Sequence, residues 1–179
     1  MGEITLCYWR ITKYNPIYRN KYGAFLKEEW TSIFHVGKIF DGKKVSLNEY
    51  LLIEELYIKA IIEFINFLKI SSLKVCGLEK YQESIQTDKY PEIYTIQMIE
   101  IFKTIKNEDD ISVNKIGDLV KLILREHLWC KLENENKMFI HFGYDYYMYI
   151  GSDSKCDYII NKIEHMGLFV EKIKSPYLE

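Results

Sequence analysis

The most strongly patterned segment of the chain runs from residue 46 to about residue 69, where most side chains are apolar. Its polar residues form a narrow stripe at helical spacing, and Leu, Ile, Phe and Tyr cover the rest of the circumference. The segment opens with Ser46-Leu47-Asn48-Glu49, a capping box in which the serine oxygen accepts from the amide of the third residue. The pattern predicts a central helix that packs on a sheet and on other helices. The polar stripe includes Glu55, Lys59, Glu63 and Asn66.

Shorter segments have the patterns of strands. Residues 3–12 place apolar side chains on both faces, which is typical of a strand that is covered on both sides. Residues 72–78 are predicted as a second strand with Leu73 and Val75 on one face. Residues 168–174 are predicted as the last strand, which closes the sheet.

The segments 127–133 and 138–150 are predicted to form a β-hairpin around an acidic turn. One register buries a continuous apolar face, because residues two apart along a strand share a face. This register pairs Leu132 with Met138, Cys130 with Ile140, and Leu128 with Phe142.

Three helices are predicted besides the central one. The segment 91–106 begins with a proline suited to a first helical turn, and a helix capped by Asp110 or Ser112 runs to about Leu124. The last helix opens with a second capping box, Ser154-Lys155-Cys156-Asp157. Its predicted C-terminal residue is Gly167, and its predicted inward residues are Tyr158, Ile159, Ile160 and Ile163.

Residues 13–32 contain an Asn-Pro pair and a lone glycine without a sustained period, which predicts a long loop. Loops of this length are usually functional or disordered, and the aromatic and basic side chains here favour a functional loop. Together the segments predict a single α+β domain over residues 1–179. It has one mixed or antiparallel sheet with a C-terminal hairpin, backed by a long central helix and smaller helices.

The stretch FIHFGYDYYMYIGSD, residues 139–153, places one carboxylate among four tyrosines. Alternate side chains of a strand point to opposite faces, so Tyr144 and Tyr146 are predicted in the core. Asp145 is predicted on the opposite, open face, together with His141, Tyr147 and Tyr149. An aspartate beside tyrosines on such a face is typical of a structural solvent face or of a recognition surface. The residues alone leave both interpretations open.

Charge is distributed unevenly along the chain. Residues 10–44 carry a net charge of +5, whereas residues 45–179 carry −6. A nucleic-acid-binding protein is usually basic overall or over a whole face, so the distribution disfavours nucleic acid as the partner. An acidic body suits docking to a basic protein.

The four cysteines lie far apart without a CxxC pair, and the first residues lack the basic and then apolar layout of a secretory signal. These features predict a cytoplasmic protein with reduced thiols. No stretch reaches the roughly 18 uninterrupted apolar residues of a membrane span, so no membrane partner is predicted.

Residues suited to catalysis or metal binding are few. His127, Cys130 and His141 are zinc-binding residue types, but side chains three apart in a strand point to opposite faces, and no metal or other cofactor is predicted. His127, Lys131 and His141 are the candidate acid–base residues of an alternative function, a small nucleic-acid-hydrolysing enzyme. The motifs of known hydrolases and nucleotide-binding folds are absent, which favours a protein without catalytic residues. RNA binding by the aromatic and basic segment 8–32 is a further alternative.

A resemblance to a known family rests on three stretches: EWTSIFHVGKIFDGKKVSLNEY, HLWCKLE followed by MFIHFGYDYYMYIGS, and LFVEKIKSPY. They resemble small bacterial immunity proteins that are encoded beside polymorphic or contact-dependent growth inhibition toxins. The resemblance implies a protein that binds the toxic C-terminal domain of a cognate toxin, covers its active site and has no catalytic activity. Many such toxins are basic nucleases, which the acidic body of this chain would match.

The predicted partner-binding surface combines the open face of the hairpin with nearby acidic and aromatic side chains. Aromatic side chains are expected at its centre, and carboxylates are expected to steer a cationic partner. The predicted residues are His141, Asp145, Tyr147 and Tyr149 on the hairpin, Glu133 and Glu135 at its tip, Asp153 beyond it, and Tyr18, Arg19 and Trp30 in the loop.

Overall fold

The structure is a computed structural model that describes residues 6–85, 87–135 and 137–178. Residues 3–5 of the predicted first strand lie outside the described residues. The described chain contains a seven-stranded sheet, a separate two-stranded sheet and four α-helices. This α+β arrangement confirms the predicted fold class, including the C-terminal hairpin and the long central helix.

Most strands of the large sheet are short, and the helices connect them. The strands of the large sheet are β1 (Cys7–Thr12), β4 (Ser72–Lys80), β5 (Asp110–Ser112), β6 (Leu128–Asn134), β7 (Met138–Phe142), β8 (Met148–Ser152) and β9 (Phe169–Glu171), and those of the two-stranded sheet are β2 (Ile39–Phe40) and β3 (Lys43–Lys44). The helices are α1 (Leu47–Leu68), α2 (Ile96–Thr104), α3 (Val113–Leu124) and α4 (Asp157–His165). The large sheet has the order β5-β4-β6-β7-β8-β1-β9, and each neighbouring pair is antiparallel.

Helix α1 begins and ends where its sequence predicts. Ser46 Oγ accepts from the amide of Glu49 at 3.1 Å, which satisfies a donor that has no partner inside the helix. The Glu49 carboxylate accepts from Lys43 Nζ at 2.9 Å. Lys69 then ends the helix in the left-handed conformation. The fully buried residues of α1 are Tyr50, Tyr57, Ala60, Ile61 and Phe64.

The helices cover one face of the sheet, and the hydrophobic core lies between these two layers. Ile140 and Ile150 pair across β7 and β8 and are fully buried in the same cluster as Phe64 of α1. The C-terminal segment, residues 172–178, lies across the opposite face. Its Tyr177 ring packs against the rings of Trp129, His141 and Tyr149.

The prediction of one strand over residues 138–150 is wrong, because a turn at residues 143–147 divides it into β7 and β8. The amide of Gly143 donates to the carbonyl of Tyr147 at 2.7 Å. Asp145 and Tyr146 have φ angles of 59° and 62°, so the alternation of faces does not continue through the turn. Tyr144, predicted in the core, is 82% exposed, whereas Tyr146 is buried as predicted.

The predicted register of the hairpin formed by β6 and β7 is displaced by two residues. Leu132 pairs with Ile140, and Met138 pairs with Asn134. A displacement of two residues leaves every side chain on its original face. The apolar pattern is therefore equally compatible with the predicted register and the observed one.

The predicted helix over residues 91–106 begins later than expected. Pro91–Ile93 is a 3-10 turn, and α2 begins at Ile96 because Thr95 Oγ1 accepts from the amide of Met98 at 3.1 Å. Helix α3 ends at Leu124 as predicted, but strand β5, which precedes it, was not predicted.

The second capping box is wrong. Ser154 Oγ donates to the Asp153 carboxylate at 2.8 Å, and Cys156 occupies the N-cap position of α4. Tyr158 is 72% exposed and does not face inward. Gly167 has the predicted left-handed conformation, with a φ of 103°. The buried residues of α4 are Ile159 and Ile163, and Ile160 is half-buried.

Candidate functional site

An open cleft lies where the turn between β7 and β8 meets the end of β4 and the end of α3. Its volume of about 690 Å³ is within the range of roughly 300–1,000 Å³ that is usual for binding sites. Aromatic rings and carboxylates make up much of its lining. The lining residues are Thr31, Glu79, Tyr81, Ile123, Leu124, Glu126, Leu128, Trp129, Phe142, Gly143, Tyr144, Asp145, Tyr146 and Tyr177.

Among the described lining residues of the cleft, the charged side chains are all acidic. Glu79 comes from β4, Glu126 follows α3, and Asp145 lies in the turn between β7 and β8. All three are exposed, and none forms an ion pair with another residue of the described ranges. Within those ranges, no three His, Cys, Asp or Glu side chains are grouped closely enough to hold a metal ion. The carboxylates therefore form a broad negative surface.

Three residues of the cleft hold an unfavourable backbone conformation. Glu126, Asp145 and Tyr146 have φ angles of 62°, 59° and 62°, and such residues cost about 1–3 kcal/mol each. They persist where the surrounding structure leaves no alternative, and they cluster at functional sites.

Two tyrosine hydroxyls hold the turn between β7 and β8 in this conformation. Tyr14 donates to the carbonyl of Asp145 at 2.7 Å, and Tyr57 donates to the carbonyl of Tyr146 at 2.7 Å. Burial raises the pKa of both phenols above the usual value, so both remain donors at neutral pH. The rings of Trp30, Tyr50 and Tyr57 surround the Tyr146 ring at centroid distances of 5.2, 6.0 and 5.2 Å.

In the structure, Tyr147 and Arg19 contact each other, and both side chains are half-buried. Arg19 Nη1 donates to Tyr147 Oη at 2.9 Å, and the Arg10 and Arg19 guanidinium carbons each lie 5.3 Å from the Tyr147 ring centroid. Glu171 of β9 accepts from Arg10 at 2.9 Å and lies 3.3 Å from Arg19 Nε. This cluster fastens the loop of residues 13–32 to the sheet.

His141 and Tyr149 are buried, although an open face is predicted for them. Both lie on the sheet face away from the helices, as predicted, but the C-terminal segment covers that face. His141 Nδ1 lies 2.9 Å from Ser175 Oγ. Burial, with a contribution from Lys131, lowers the pKa of His141 to about 4, so its ring is neutral at pH 7.

The remaining predicted partner-binding residues do not line the cleft. Glu133, Glu135 and Asp153 are at the opposite end of β7 from the turn that carries Asp145. Trp30 is only 6% exposed and packs under Lys13, whose Nζ lies 4.1 Å from its ring centroid. Tyr18 is 37% exposed, with Lys27 Nζ 3.6 Å from its ring centroid.

The candidate acid–base residues have separate partners and do not line a common cleft. His127 Nδ1 lies 2.7 Å from Gln82 Nε2, which is a donor, so His127 Nε2 carries the proton that faces Tyr94 Oη at 2.8 Å. Lys131 Nζ donates to the carbonyl of Tyr177 at 2.9 Å. His141 contacts Ser175, as described above.

Asp145 is the single predicted partner-binding residue that lines the cleft. Glu79, Tyr81, Glu126 and Tyr177 were not predicted, because they come from separate elements that only the fold brings together. The alternation of faces, which identified Asp145, operates inside one strand. No local pattern in the sequence marks the convergence of these elements.

Comparisons of the chain with protein-family models, curated proteins and solved structures find no match. None of the helices in the described part of the chain has the length and apolar character needed to cross a lipid bilayer.

Proposed function

We propose that the protein is an immunity-type binding protein that neutralises a cognate toxin, with a nuclease domain as the expected target, by covering the toxin's active site. The cleft is the contact surface. The observation that carries the proposal is the composition of the cleft: three exposed carboxylates, six aromatic side chains, and no basic side chain among its described lining residues.

Domains that cleave nucleic acids bind phosphates with lysine and arginine side chains, and a negative cleft accelerates the association of such a surface and rejects acidic competitors. Aromatic side chains then supply most of the binding energy once water is excluded. The turn held by Tyr14 and Tyr57 is already ordered before binding, which lowers the entropic cost of association.

The first test is isolation of the partner. The affinity-tagged protein is expressed in its native host, and co-purified proteins are identified by mass spectrometry. The partner is expected to be a toxic domain that arrests growth when it is expressed alone. Co-expression of the present protein should restore growth.

The second test changes the cleft without changing the fold. The double variant Asp145→Asn and Glu126→Gln should weaken binding by about tenfold or more and reduce its salt dependence, because two charges that steer the partner are removed. Asparagine tolerates the left-handed conformation of residue 145. Calorimetric titration at two salt concentrations gives both quantities.

Asp110→Asn is the matched control, because Asp110 is exposed and lies opposite Lys74, at the other end of β4 from Glu79. It should bind as the unmodified protein does. A partner without toxic activity, or equal affinity of the double variant and the control, would show that the proposal is wrong.

A further inference from the structure

A second, smaller pocket adjoins the cleft and shares Tyr81 and Glu126 with it. We call it the anchor pocket. It lies between the segment that follows β4 and the residues that follow α3. Its walls are formed mainly by aromatic and aliphatic side chains: Ile33, Phe34, Tyr81, Tyr90 and Tyr94.

The polar floor of the anchor pocket already has its hydrogen-bond partners. Arg125 donates to the Glu54 carboxylate at 2.6 and 2.8 Å and to the carbonyl of Ile93 at 2.8 Å. Both ring nitrogens of His127 are engaged by Gln82 and Tyr94. Burial, together with Arg125, lowers the pKa of His127 to about 4, so the floor histidine is neutral at pH 7. A ligand of this pocket therefore does not need to supply polar groups.

The size of the anchor pocket limits what it can hold. Its volume is about 130 Å³, well below the roughly 300 Å³ at which small-molecule and cofactor sites begin. This volume suits one amino-acid side chain. Phe34 and Tyr81 at the mouth are 58% and 54% exposed, so a bound partner would remove apolar surface from water there.

We propose that the anchor pocket takes one aromatic or large aliphatic side chain of a partner protein, while a neighbouring lysine or arginine of that partner lies in the cleft. The inference rests on the proposed function and specifies the partner sequence that it requires. Charge complementarity determines the arrangement. Glu126 borders both cavities, whereas the exposed Lys89 lines the anchor pocket but not the cleft. The basic residue of the partner therefore lies on the Glu126 side.

The experiment is a selection of displayed random peptides on the immobilised full chain, followed by affinity measurement of the enriched peptides as synthetic probes. Enriched peptides should contain a basic residue beside an aromatic or large aliphatic one. Phe34→Ala removes an exposed wall of the anchor pocket and should weaken their binding by about fivefold or more. Phe67→Ala is the matched control, since Phe67 is 45% exposed on α1 and lines neither cavity.

The outcomes separate this inference from the proposed function. If Asp145→Asn and Glu126→Gln weaken binding of the isolated partner but Phe34→Ala has no more effect than Phe67→Ala, the anchor pocket inference is wrong and the proposed function stands. If enriched peptides show no pairing of basic and apolar residues, the inference is also wrong. If none of these variants affects binding of the isolated partner, both proposals fail.

Discussion

Phe139 and Gly151 illustrate, at the scale of single residues, how tightly the covered face of the sheet is packed. The two residues pair across β7 and β8, and the Phe139 ring lies over the glycine. The same ring stacks on His141 at a centroid distance of 4.4 Å. A side chain at position 151 would therefore disturb the ring stack under the C-terminal segment.

We expect Gly151→Ala to lower the free energy of unfolding by about 1–3 kcal/mol, the usual cost of overpacking. An alanine Cβ at this position would lie 2.0 Å from Phe139 Cε1, so the ring must move away from His141. Urea denaturation followed by circular dichroism measures the change.

Gly117→Ala is the matched control and should have the opposite effect. Gly117 lies inside α3, and its added Cβ would be 3.5 Å from Ile58 Cγ2, which is ordinary van der Waals contact. Alanine is more favourable than glycine in a helix interior by about 0.8–1 kcal/mol. Equal destabilisation by both substitutions would contradict the packing argument.

At the scale of elements, one buried ion pair joins the central helix to the end of α3. Glu54 and Arg125 are each 2% exposed, and their side chains form two hydrogen bonds. Removing one partner of a buried pair leaves an uncompensated charge, which costs about 3–5 kcal/mol. Replacing both with apolar residues of similar volume is usually much less costly.

A double-mutant cycle tests this connection. Arg125→Met should lower the free energy of unfolding by about 3–5 kcal/mol, and Glu54→Leu by a similar amount. The double variant should lose clearly less than the sum of the two, as measured by guanidinium unfolding. Strict additivity would show that the two side chains do not act as a pair.

The elements also show what the sequence can and cannot predict. The capping serine and the nearly continuous apolar circumference of α1 are local signals, and the helix was predicted within one or two residues. The turn at 143–147 was missed because its tyrosines continue the aromatic pattern of the flanking strands, although Gly143 and Asp145 are typical turn residues. Tertiary contacts from Tyr14 and Tyr57 hold the turn, and these contacts come from distant parts of the chain.

The candidate site was predicted less well than the fold for a related reason. Alternation within a strand placed Asp145 away from the core, but the cleft also needs Glu79 and Glu126, which converge only in the folded chain. The same alternation placed His141 and Tyr149 away from the core correctly. It did not show that the C-terminal segment covers them.

At the scale of the whole molecule, two buried histidines make the stability depend on pH. His127 and His141 have pKa values lowered to about 4, whereas an unfolded histidine titrates near 6.5. Between these values the unfolded chain binds more protons, so stability falls as pH decreases. Above about pH 6.5 both states are neutral at these positions, and the contribution is constant.

We expect the free energy of unfolding to decrease from about pH 6.5 towards pH 4, with each histidine contributing up to about 1.4 kcal/mol per pH unit. At His127, burial and the nearby charge of Arg125 disfavour the protonated ring, and a protonated Nδ1 can no longer accept from Gln82. The double variant His127→Gln and His141→Asn should have a smaller slope over the same range, measured by urea unfolding at each pH. Equal slopes would contradict this assignment.

The order of strands in the sheet has a consequence for how the molecule associates with others. Its two outer strands, β5 and β9, are three residues long, whereas longer strands occupy the interior. Short edge strands expose few backbone groups to another chain, which discourages polymerisation through added strands. The fold therefore resists self-assembly through its edge strands. Association with other molecules then depends on exposed side chains, which can be substituted without altering the backbone.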